Sequence, residues 1–172
     1  MPGRRLASLS RSWAALAAVL AAAATGVASA GCPAPAAVVR DISADRFYTD
    51  AASSVVDPQI VARNKASLTA LDDTLRPIIR ASDRALDGDA ESAACAVSLF
   101  VAQAEGGGML GSMSSRQAGY ERKWRTAGLA LAWLKVRRSA SPAQRAEVEP
   151  WLLALARQVE ADYGAPREPN NH

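Results

Sequence analysis

Apolar residues in this chain recur at three- and four-residue steps, in segments separated by residues that start and stop helices. No segment of useful length alternates with period two, so the pattern confines the chain to an all-α fold. Asp57-Pro58 sets a capping carboxylate before a proline at the first helical position, where a missing N–H costs nothing. Ile60, Asn64, Leu68, Leu71, Leu75 and Ile78 then mark one face of a helix, which Pro77 is expected to kink or divide near Leu75. Asp87-Gly88-Asp89 closes that helix and caps a second, in which Ala94, Val97, Val101 and Ala104 form an inward stripe up to Gly106-Gly107-Gly108. Glu105 to Gly108 reads as a loose connection.

Ser114 or Ser115 caps a third helix reaching Arg137, with Tyr120, Trp124, Ala127, Leu131 and Leu134 on its apolar face and Glu121, Arg122 and Arg125 opposite. Ser141-Pro142 begins a fourth segment. Pro150 is expected to split it into a short turn and a helix from about Glu149 to Tyr163, with Trp151, Leu152, Leu155 and Val159 inward. Val38 to Val56 reads as a loop containing a short extended run, Phe47-Tyr48-Thr49-Asp50. Short links between helices favour antiparallel neighbours, that is, helical hairpins.

Residues 1–30 carry the three parts of a secretory signal: Arg4, Arg5 and Arg11, the apolar run Trp13 to Ala24, and the small-residue site Ala28-Ser29-Ala30. The run is too short for the ~20 residues that span a bilayer, which disfavours a membrane anchor. Cys32 also raises a lipoprotein reading, but Ser29 stands where such sites prefer a bulky aliphatic residue. The expectation is a periplasmic or secreted protein whose mature chain starts near Gly31, with no membrane association once the signal is removed. Cleavage takes three arginines from 20 basic residues and none of the 17 acidic ones. The mature chain then has no net charge with which to collect a nucleic acid or polyanion, so any such binding must come from local clusters.

Cys32 and Cys95, bound for an oxidising compartment, are expected to form a disulfide. Neither has a second Cys or His at ligand spacing, so no metal site and no cofactor are expected. The only histidine is the last residue, His172, which makes a His-dependent hydrolase hard to build.

Four features in order, Cys32-Pro33, Phe47-Tyr48-Thr49-Asp50 to Val56-Asp57-Pro58, Gln117 through Tyr120-Glu121-Arg122-Lys123-Trp124, and the terminal Asn170-Asn171-His172, resemble mannuronate-type alginate lyases. Those are polysaccharide lyases built as an α/α toroid of paired helices. The resemblance implies residues 31–172 as the N-terminal portion of such a domain, an incomplete toroid ending at the Asn-His element. It implies a polyuronate such as alginate as partner and β-elimination as reaction. Asn171 and His172 would be catalytic, Asn171 donating to the uronate carboxylate and His172 neutralising it or acting as base. Tyr48 would sit on a lid over the cleft, and Gln117 and Trp124 would contact sugar. The family's later arginine and tyrosine have no counterpart in residues 1–172.

Plainer readings of these residues stand beside the resemblance. Trp124 fits the core stripe of its helix, Gln117 fits the first helical turn, and Arg122, Lys123 and Arg125 fit a solvated face with a Glu121–Arg125 pair. The rival function is a non-catalytic secreted helical protein that binds polysaccharide or serves as a scaffold.

Overall fold

The computed structural model describes residues 31–163. Helix α1 spans Pro58–Leu86, α2 Ala90–Glu105, α3 Arg116–Val136 and α4 Pro142–Tyr163, with a 3-10 turn at Arg137–Ser139 between the last two. Caps account for the boundaries. Asp57 accepts from the N–H groups of Gln59 and Ile60, Asp89 from that of Ser92, and Ser115 from those of Gln117 and Ala118. Gly88, with φ of +88°, makes the turn that reverses the chain between α1 and α2.

Pro150 does not split its segment, contrary to the sequence expectation, and α1 likewise runs undivided through Pro77. Pro77 lies between the buried Leu75 and Ile78, and Pro150 between Val148 and Trp151, which are 0% and 4% exposed. Core anchors on both sides hold each helix through the one backbone bond that proline forfeits.

Pairs between helices fix their directions. Asp72 meets Arg125 and Asp83 meets Lys135, so α1 and α3 run parallel; Arg122 meets Gln158 and Arg137 meets Glu149, so α3 and α4 run antiparallel. The α1–α2 and α3–α4 hairpins therefore stand side by side in one orientation, α1 against α3 and α2 against α4. Their core is centred on Phe100, with Trp133 edge-on at 5.2 Å between ring centroids and Trp151 at 6.5 Å. On α2 the buried face is Ala93, Ala96, Val97, Leu99, Phe100 and Gln103, whereas Ala94 is exposed and Val101 and Ala104 lie at the core's edge. The expected stripe was rotated because α2 is covered by α1 and α4 together, a wider contact than one stripe serves.

The segment before α1 is pinned to this frame. Cys32 and Cys95 are disulfide-bonded, as expected, and Ile42 pairs in parallel with Met113. The Gly106–Gly108 connection is not loose. The Met109 N–H donates to the Val39 carbonyl at 2.9 Å, and the Gly111 N–H to that of Arg40 at 3.0 Å. A Cβ at Gly111 would sit 2.9 Å from the Arg40 backbone, so glycine there permits the close approach. Among the described residues no helix is long and apolar enough to cross a membrane.

Candidate functional site

Helix α3 presents to solvent the face that the sequence assigned to the core. Trp124, Leu131 and Leu134 are 67%, 62% and 69% exposed. Ala118, Gly119, Arg122, Thr126, Leu129, Trp133 and Val136 face inward instead. Small residues let α3 approach its neighbours closely, with Gly128 opposite Ile79 of α1 and Gly119 opposite Asp162 of α4. Arg122 can be buried because its N–H groups reach Gln158 Oε1 at 2.5 Å and Asp162 Oδ2 at 2.6 Å. Arg122 and Arg125 thus belong to helix interfaces rather than to a solvated face. Arg125 bonds Asp72 Oδ1 at 2.7 Å across to α1 and Glu121 Oε2 at 2.5 Å along its own helix, the latter being the expected pair.

The outward face of α3 carries polar and aromatic groups in its first half. The Lys123 ammonium lies 4.7 Å from the Trp124 ring centre and 5.0 Å from that of Tyr120, and the Arg116 guanidinium lies 5.6 Å from Tyr120. Gln117 is half-buried and donates from Nε2 to Glu121 Oε1 at 2.9 Å. Helical spacing brings Gln117, Tyr120 and Trp124 to one side of α3. An open indole can take the apolar face of a sugar ring, and a cation beside it can meet an anion.

Tyr48 stands on a separate element, the loop before α1. It pairs with Val56 in an isolated antiparallel bridge, the Thr49 N–H donates to the Val55 carbonyl at 3.0 Å, and the Asp57 N–H to that of Phe47 at 2.9 Å. Inside the loop the Arg46 guanidinium donates to the Asp50 and Ala51 carbonyls and to Ser53 Oγ. The Asp50 carboxylate accepts from the Ser54 hydroxyl and from the N–H groups of Val55 and Ser54. Those bonds, the Ser54 hydroxyl foremost, hold the Asp50 carboxyl down to about 2. Tyr48 makes no hydrogen bond or ring contact with Gln117 or Trp124 among the described residues. Asn171 and His172 lie outside the described residues.

Between α1 and α3 runs a groove of about 330 Å³ lined by Asp72, Leu75, Arg76, Ile79, Arg80 and Arg125. Arg76 and Arg80 stand in no motif of the sequence. Their i,i+4 spacing on α1 was the available signal, though only the packing of α3 beside α1 makes a groove of it.

The chain is 42% identical over 154 residues to a protein of Stenotrophomonas maltophilia (strain K279a) named "Polysaccharide lyase". The match takes in 87% of this chain and 46% of that relative, so the chain spans about half the length of the curated relative it matches. No protein-family model matches the chain.

Proposed function

We propose that the chain is the N-terminal part of a polysaccharide lyase that cleaves alginate or a related polyuronate by β-elimination. The observation that carries the reading is the 42% identity to a polysaccharide lyase across 87% of the chain. The exposed Trp124, with the Lys123 ammonium on its ring, supports a surface for an acidic sugar. Two hairpins stacked in one orientation support a toroid extended by further hairpins.

In the reaction, a base removes the C5 proton of the uronate, the C5 electron pair forms the C4–C5 double bond, and the C4–O bond breaks. The departing oxygen takes a proton from an acid. The C5 proton is weakly acidic while the adjacent carboxylate is charged, so that carboxylate must be hydrogen-bonded or neutralised before an enolate can develop. Asn171 supplies amide donors to it and His172 neutralises it or serves as base. Trp124 stacks on a pyranose ring, Gln117 bonds its hydroxyls, and Tyr48 rides on the loop that closes over bound polymer. A periplasmic or secreted location follows from the leader and fits the Cys32–Cys95 disulfide.

The test is release of unsaturated uronates, read by ultraviolet absorbance, from alginate incubated with the protein extended to the length of its relative. Asn171→Ala is expected to lower turnover about 10²–10³-fold while polymer binding persists, by analogy with loss of one oxyanion-hole donor. The 172-residue chain alone is expected to show little or no turnover. An extended protein that binds polyuronate without cleaving it would move the reading to a non-catalytic binding protein.

A further inference from the structure

The geometry points to the α1–α3 groove as a carboxylate-binding subsite for an acidic polysaccharide, with Arg76 and Arg80 as its anion-holding residues. This rests on the reading of the chain as part of a polyuronate lyase, and it assigns ground-state substrate binding to residues outside the Asn-His element.

Three arginines line the groove, and their bonding separates them into two jobs. Arg125 is only 16% exposed and is held by Asp72 and Glu121, so its charge is already answered and it serves to tie α3 to α1. Arg76 is about half exposed and touches a single carboxylate oxygen, Asp73 Oδ1, at a long 3.4 Å. Arg80 is exposed and has no hydrogen bond or ion pair among the described residues. The two cations sit one helical turn apart, about 6 Å along α1, where like charges repel unless an anion comes between them. Because residues 31–172 carry no net charge, such a local pair is what can attract a polyanion.

The floor beneath these cations is apolar. Leu75 and Ile79 line it, and Ile79 extends to within contact of the position a Gly128 side chain would occupy. Guanidinium donors above an apolar floor suit a uronate: a pyranose with an apolar C–H face and a carboxylate at its edge.

The experiment uses the full chain and oligomers of mannuronate or glucuronate, with the carboxyl-reduced oligomer as the neutral probe, and measures affinity by calorimetry. Arg76→Ala/Arg80→Ala should weaken acidic oligomer binding about tenfold or more, as expected when charge-assisted hydrogen bonds are lost, and should flatten its salt dependence. Alanine favours the helix, so circular dichroism should show both proteins equally folded. Affinity for the reduced oligomer should not change. A charge-matched control, Arg63→Ala/Arg157→Ala, should bind like the parent; an equal loss there would mean diffuse attraction and would overturn the subsite. If Arg76→Ala/Arg80→Ala binds as the parent does while Trp124→Ala does not, sugar is held elsewhere on α3: the subsite is wrong and the polysaccharide reading stands. A parent chain with no affinity for any acidic oligomer overturns the subsite, while lyase activity of the extended protein would still uphold the function.

Discussion

Two tryptophans of α3 should respond very differently to truncation. Trp133 is 4% exposed and packs edge-on against Phe100, whereas Trp124 is 67% exposed. Trp133→Ala removes a fully packed indole and leaves a cavity, costing about 3–5 kcal/mol, of which about 0.5–1.5 belongs to the Phe100 ring pair. Trp124→Ala gives up the one-third of its surface that is covered and the contact with Lys123, together about 1 kcal/mol, and alanine's better helix propensity returns some of it. Urea unfolding followed by circular dichroism at 222 nm, a wavelength set by the amide chromophore, reads both. With a slope of about 2 kcal/mol/M, Trp133→Ala should move the midpoint down by roughly 2 M and Trp124→Ala by less than about 0.5 M. A larger loss in Trp124→Ala than in Trp133→Ala would show that α3 is rotated as the apolar stripe of its sequence suggests, and comparable losses would already refute the outward placement of Trp124 on which the sugar-binding surface depends.

The Asp50 carboxyl, held near 2 against an ordinary 3.8, should keep the Tyr48 loop's bonds intact above about pH 4 and lose them as pH falls through 2, because a lowered folded-state value stabilises only the ionised form. NMR titration of the Ser54 and Val55 amides should give a midpoint near 2, and a midpoint near 3.8 would contradict the bonding. Reduction of the Cys32–Cys95 disulfide, or Cys32→Ser/Cys95→Ser, should cost up to about 4 kcal/mol, and the oxidised chain should show no titratable thiol in native or denaturing conditions. Asp162→Ala should destabilise by about 1–3 kcal/mol because, among the described residues, it leaves the buried Arg122 charge with Gln158 alone to accept from it, while Arg122→Met should be close to neutral. The reverse order in denaturant titration would show that packing of the arginine stem, not its charge, governs the site.

Local chemistry made much of this protein legible from its sequence. Asp57-Pro58, Asp87-Gly88-Asp89 and Ser115 set helix starts and turns through short-range caps and backbone conformations, and Leu68, Leu71, Leu75 and Ile78 form a face that any helix of that sequence must bury. The Cys32–Cys95 pairing followed from compartment and count. Tertiary structure alone decided what depends on several neighbours at once. Whether Pro77 and Pro150 break their helices depended on the anchors packed around them. Which face of α3 is buried depended on the small residues that α1 and α4 can approach, and on the Gln158 and Asp162 groups that allow a charged arginine inside. The same placement opened Trp124 to solvent and set Arg76 and Arg80 across from α3. Periodicity reports that a helix has an apolar side; only the partners it meets determine which side they cover.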